Sequence, residues 1–366
     1  MDYTQKLKHH YKPKQGFIND PNGLVYFNGY YHLFYQYWPK HEQPWKEPAH
    51  WGHARTKDFI TYEELPIAIA PDAWYDGHGC WSGTATVKDG VLYLVYTSML
   101  AEPDQNGNRQ TVSIVTSRDG EHFEKYAGNP VIREVPADGG PDFRDPAVAC
   151  IDGKYYLVMA SGNPEADEAR LLLYTSENLF DWTYLGVMAS WENSRYNECP
   201  SLVPFGEEVL LTASVVDHKG NYFTAMAGAF KDGSFTLRTE HRLDRGPDQY
   251  AGQAFLAPDG RVLLIGWMPG WDYVGYREKD VGCLTVPREI YAKDGALRIR
   301  PAREVLPLAK GSDPAVVRTE TGFTVLREGR EPLVYTGEVR DLQIFRDGYV
   351  LEVFLNDGED VFTFLL

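Results

Sequence analysis

Three short segments of this 366-residue chain place a carboxylate beside strong turn-formers. Gly16–Gly23 carries Asp20 in the run Asn19-Asp20-Pro21-Asn22-Gly23. Phe143–Ala147 carries Asp145, preceded by Arg144 and followed by Pro146. Asn197–Ser201 carries Glu198, followed by Cys199 and Pro200. Each has an ordinary reading: a tight turn, a surface ion pair, an edge-strand glutamate. Brought together, they have the groups that glycosidic bond cleavage requires. One carboxylate serves as nucleophile and one protonated carboxyl as acid, about 5–5.5 Å apart where configuration is retained. Arg144 favours the ionised form of Asp145, and the poorly solvating thiol of Cys199 favours a raised pKa at Glu198. Cys199 reads as a packing and tuning neighbour, since no histidine motif is present to activate it as a nucleophile.

Such side chains converge only if their strands do, and an internal repeat supplies a way. A Gly-containing turn followed by an aromatic or β-branched strand recurs at Phe27–Tyr35, Lys88–Tyr96, Ile151–Met159, Phe205–Leu211 and Pro258–Gly266, with turn glycines at 29, 90, 153, 206 and 260. Asn-Gly and Asp-Gly before such runs are strong hairpin signals, because the turn needs positive φ. A second strand–turn–strand signal follows each copy, as in Arg55–Tyr62, Thr116–Phe123, Thr175–Trp182, Phe230–Phe235 and Tyr291–Leu297. Two hairpins per period make a four-stranded unit. The expected architecture is all-β, a five-bladed β-propeller over residues 1–304 whose innermost strands run together along a central channel. The three carboxylates sit near the first strands of blades one, three and four. A β-solenoid would need shorter repeats, and the Gly-His and Trp-Asp marks of a WD propeller are missing.

After Pro301 the pattern changes. Residues 305–366 read as a small truncated C-terminal β appendage of three to five strands, too short for a full sandwich of about 100 residues. Its open edges read as a surface for homo-oligomer formation.

The formal net charge is −16, from 36 Lys and Arg against 52 Asp and Glu. That field repels nucleic-acid backbones and anionic membranes and suits a neutral, small carbohydrate partner. Four dispersed cysteines form no C-x-x-C pair, and ten histidines form no metal motif. Neither a metal nor an organic cofactor is expected. With four lysines and no apolar run before residue 15, and no stretch near the roughly 18 apolar residues of a membrane span, the chain reads as cytoplasmic.

The motifs closely resemble those of glycoside hydrolase family 32, the invertases, levanases, inulinases and sucrose-6-phosphate hydrolases. Asn19-Asp20-Pro21-Asn22-Gly23 is similar to the family's nucleophile motif, Arg144-Asp145-Pro146 to its transition-state-stabiliser motif, and Glu198-Cys199-Pro200 to its acid/base motif. The resemblance covers about residues 10–305. It implies that Asp20, Asp145 and Glu198 are catalytic. It further implies sugar contacts from Asn19, Gln36, Trp45, Trp81, Ser82, Arg144, Asp244, Asp248, Tyr250 and Trp267. Phe17-Ile18 stands where the family often has Trp-Met, and Asn197 where a Trp often precedes the glutamate. Both changes are expected at the pocket rim, where they would bear on leaving-group preference. The tail is shorter than the family's usual sandwich. The implied reaction is fructose release from sucrose or short fructo-oligosaccharides. Fructosyl transfer, or hydrolysis of sucrose 6-phosphate with Arg109, His78 or His218 at the rim, would use the same trio. A propeller that only binds fructan is the non-enzymatic alternative.

Overall fold

A computed structural model describes residues 5–40, 47–103, 107–269 and 282–366. It is almost wholly β, with one 3₁₀ turn at Leu306–Leu308. Four sheets of four antiparallel strands follow in chain order. The first holds β1 (Phe17–Phe27), β2 (Tyr30–Trp38), β3 (His50–Thr56) and β4 (Tyr62–Ile69). The second holds β5 (Gly79–Lys88), β6 (Val91–Met99), β7 (Gln110–Ser117) and β8 (Glu124–Lys125). The third holds β9 (Phe143–Ile151), β10 (Lys154–Asn163), β11 (Glu168–Ser176) and β12 (Thr183–Glu192). The fourth holds β13 (Ser194–Phe205), β14 (Glu208–Asp217), β15 (Asn221–Lys231) and β16 (Ser234–Arg242). A fifth sheet has β17 (Tyr250–Leu256), β18 (Val262–Met268), β19 (Cys283–Leu284), β20 (Arg288–Lys293) and β21 (Ala296–Pro301).

The first hairpin of each of the first three sheets turns as the sequence demands. Asn28-Gly29, Asp89-Gly90 and Asp152-Gly153 all hold positive φ at both residues, the condition of a type I′ turn matched to strand twist. The leading strands are neighbours in a ring: β1 lies against β5, β5 against β9, β9 against β13, β13 against β17, and β17 against β1. Between sheets, alternate residues interdigitate, such as Leu171 and Leu173 of β11 with Leu211 and Ala213 of β14. A fully buried Val or Leu contributes about 1.5–3 kcal/mol.

The tail forms six strands where three to five were expected. β22 (Val316–Thr319), β23 (Gly322–Val325) and β24 (Leu333–Thr336) make one sheet; β25 (Leu342–Asp347), β26 (Val350–Leu355) and β27 (Asp360–Leu365) make the other. The two share an apolar core that includes Phe323, Ile344, Val353 and Phe362. Strands of four residues carry too little alternation to be counted from sequence.

Polar groups seal this region to the rest. Arg288 is buried and donates to Asp244, Glu352 and Thr363, while His10 reaches Glu352 at 2.8 Å. The backbone of residues 245–248 runs beside β27, with Arg245 N–H donating to Val361 O and Asp248 N–H to Thr363 O. Gly246 permits that approach, since a Cβ there would stand 2.1 Å from Thr363 N.

Candidate active site

Each leading strand slips register where it faces its neighbour, between Ile18 and Pro21, Cys80 and Gly83, Arg144 and Ala147, Glu198 and Ser201, and Tyr250 and Gln253; β1 and β13 slip a second time, at Asn22–Val25 and Ser194–Tyr196. Such bulges bend a strand and re-aim side chains, and they recur beside active sites. Here the displaced residues are Asn19-Asp20, Trp81-Ser82, Asp145-Pro146, Cys199-Pro200 and Ala251-Gly252. Asp145, Cys199 and Ala251 take left-handed φ of 59°, 47° and 49°. Non-glycine residues hold that conformation only where the surroundings over-determine it. Pro146 and Pro200 mark two of the slips in the sequence.

The bulges open on a cleft of about 480 Å³ in which Asp20, Asp145 and Glu198 all meet. Ser82 Oγ donates to Asp20 Oδ2 at 2.7 Å and Gln36 Nε2 donates to the same oxygen at 3.2 Å. Asn19, Trp81 and Trp267 line the wall, and the Asn19 side-chain oxygen is buried without a partner. Cys199 stands between two carboxylates: its N–H donates to Asp145 Oδ2 at 2.9 Å, and its sulfur lies 3.3 Å from Asp20 Oδ2 and 3.6 Å from Asp145 Oδ2. The thiol therefore faces Asp20 and Asp145, in place of the expected role at Glu198. Thr97 Oγ1 accepts from Asp145 N–H at 2.7 Å.

Burial and the proximity of like charges raise the pKa of Asp20 to about 7, against donation from Ser82 and Cys199. Asp145 rises to about 6, chiefly through burial, partly offset by the Arg144 charge and the Cys199 N–H. Arg144 acts on Asp145 only through space. Its guanidinium donates to Asp142 and to Glu198 Oε1, the latter at 3.0 Å, so its bonded partner is not its sequence neighbour. Tyr250 OH donates a short hydrogen bond to Glu198 Oε2. Both oxygens of Glu198 are thus held, one by a cation and one by a phenol.

Two expected sugar ligands are not in the cleft. Asp244 accepts from Arg288, Thr363 Oγ1 and Gly246 N–H, and Asp248 accepts from Leu365 N–H at 2.9 Å. Both carboxylates are buried, where they fasten residues 244–248 to β27. Burial raises the Asp248 pKa to about 7. Trp45 lies outside the described residues. Phe17 and Ile18 are buried, Phe17 packing edge-on to Trp38 and Trp267, so neither forms the rim. Asn197 is buried too, its amide donating to Arg170 O at 2.8 Å. Asp142, Tyr196, Gln110 and Asn221 line the cleft and were not anticipated. Asp142 had a local signal, two residues before Arg144; Tyr196, beneath the Arg144 guanidinium at 5.3 Å, had none.

Residues 10–301 match the model of the glycosyl hydrolases family 32 N-terminal domain. Raffinose invertase of Escherichia coli is 38% identical over 322 residues, covering 83% of this chain and 66% of that protein. Sucrose-6-phosphate hydrolase of Escherichia coli is 34% identical over 339 residues, covering 88% and 70%. The chain thus spans about two thirds of the length of these curated relatives. Among solved structures, the Bombyx mori GH32 beta-fructofuranosidase superposes with a TM-score of 0.83 at 27% identity, covering 99% of this chain and 89% of that one. The sucrose-6-phosphate hydrolase from Lactobacillus gasseri superposes at 0.85 and 26% identity, covering 99% and 88%.

Proposed function

This chain belongs to glycoside hydrolase family 32, and from that premise we propose that it releases fructose from β-fructofuranosides by a retaining double displacement. The observation that carries the reading is the convergence of Asp20, Asp145 and Glu198 on one cleft, from strands β1, β9 and β13. We read the five sheets with ringed leading strands as a five-bladed propeller within residues 1–304, and residues 305–366 as a separate C-terminal β region. The exposed Val317 and Val334 on that region support contact between copies of the chain.

In the first step, ionised Asp20 attacks the anomeric carbon of the fructosyl unit. The bond to the leaving oxygen breaks as Glu198 donates its proton there. Water, deprotonated by Glu198, then attacks the same carbon and frees Asp20. Ser82 and Gln36 fix the attacking carboxylate. Arg144 and Tyr250 fix the proton donor, and Asp145 accepts hydrogen bonds from sugar hydroxyls that tighten as the ring becomes positive. Trp81 and Trp267 offer apolar faces to the sugar.

Reducing-sugar release from sucrose, with Asp20→Asn assayed beside the parent, tests the reading. Release by the parent and its loss in the variant is the expected result. No release from sucrose, sucrose 6-phosphate or short fructans would leave the fructan-binding alternative in its place.

A further inference from the structure

We propose that the cleft selects uncharged β-fructofuranosides and turns away the same fructosides when the leaving sugar carries a phosphate. The inference rests on the hydrolase reading above and names the substrate class of that site. Four carboxylates, those of Asp20, Asp142, Asp145 and Glu198, line the cleft, and Arg144 is the one cation among its described lining residues.

Arg144 is already engaged at both ends. One terminal nitrogen donates to Asp142 and the other to Glu198 at 3.0 Å. Its side chain is only 11% exposed and its plane rests over Tyr196. Recognition of a phosphate commonly uses a bidentate arginine. Here that fork would have to leave two carboxylates, one of them the proton donor, to meet the anion.

Two of the three basic side chains expected at the rim are committed elsewhere. His218 binds Asp167 at 2.7 Å, and Arg109 lies in an adjoining cavity with Glu134, 3.8 Å from Glu102. A phosphorylated leaving group would thus bring up to two negative charges toward a wall whose described residues are net negative. Like-charge juxtaposition is a device of specificity. Asp142 is its adjustable part, because it neutralises the one guanidinium among the described lining residues that could answer a phosphate.

The test is kcat/KM for sucrose and for sucrose 6-phosphate, measured on the full chain and on Asp142→Asn, each at low and high ionic strength. The parent is expected to favour sucrose by about tenfold or more at low salt. That ratio narrows as salt screens the repulsion. Asp142→Asn, which frees one arm of Arg144, shifts the ratio toward the phosphorylated sugar by about tenfold. Taking the ratio within one variant removes any general loss of activity. A parent that turns over sucrose 6-phosphate as well as sucrose overturns the proposal. So does a preference for sucrose that neither salt nor the substitution moves, because shape would then be the cause. Turnover of neither substrate overturns the hydrolase reading itself, and this inference with it.

Discussion

The backbone N–H of Cys199 donates to Asp145 Oδ2 at 2.9 Å while its sulfur approaches Asp20 Oδ2 at 3.3 Å, so one residue ties together carboxylates from two other strands. Cys199 holds a left-handed φ of 47° at this point. The geometry of these carboxylates is held by a bulge and a thiol as well as by charge.

That contact sets a pH limit. Asp20 must be ionised to attack, and its pKa of about 7 places the acid limb of kcat/KM well above that of an ordinary carboxylate. Donation from Cys199 lowers this pKa, so Cys199→Ala raises it and moves the acid limb to higher pH. Cys199→Ser restores a donor and brings the limb back. A pH profile unchanged by Cys199→Ala would deny the thiol this role.

Glu198→Gln separates the proton donor from the rest of the site. On sucrose the loss is about 10²–10⁴-fold. On fructosides whose leaving groups need no protonation it is far smaller. Parallel kinetics on the two substrates decide it, and equal losses would remove Glu198 from the acid role.

A carboxyl pushed up by burial destabilises the fold once it must ionise. The folded pKa of Asp20, about 7, stands above its ordinary 3.8, so the folded state binds more protons between those values. Its stability therefore falls as pH rises from about 4 to about 7. Asp20→Asn removes that penalty. Its melting temperature is expected to exceed the parent's by a few degrees near pH 8 and by less near pH 5, as read by calorimetry at the two pH values. A difference independent of pH would contradict the assignment.

Arg288 is the cation at the centre of the contact between the fifth sheet and the C-terminal strands. Its loss strands Asp244 and Glu352, both buried. Arg288→Met is expected to cost about 3–5 kcal/mol in denaturant unfolding, since breaking a buried pair leaves uncompensated charge. KM for sucrose in the folded fraction should hold, because Arg288 lies outside the cleft.

The hairpin turns were legible because they depend on two adjacent residues and a sign of φ, as Asn28 and Gly29 display. The three carboxylate segments were legible because each motif is local and dense in turn chemistry. Asp244 and Asp248 were misread as sugar ligands for the same reason: a carboxylate in a Gly-Pro loop looks alike whether it meets a sugar or Thr363 and Leu365. Nothing within a few residues of Arg144 says that its guanidinium meets Glu198. Tyr250 was picked out as a sugar contact, and its bond to Glu198 emerged only when β17 met β13.

By itself, then, the sequence determined the repeated hairpins of the five sheets, their tight turns and the presence of three carboxylates in motifs, all of which follow from short-range backbone and side-chain preferences. The tertiary structure alone decided which oxygens face one another, which pKa values rise, and which acidic loop became a seam. Those depend on burial and on distances between residues far apart in the chain. The thiol of Cys199 beside the carboxylate of Asp20, 179 positions earlier, is such a distance.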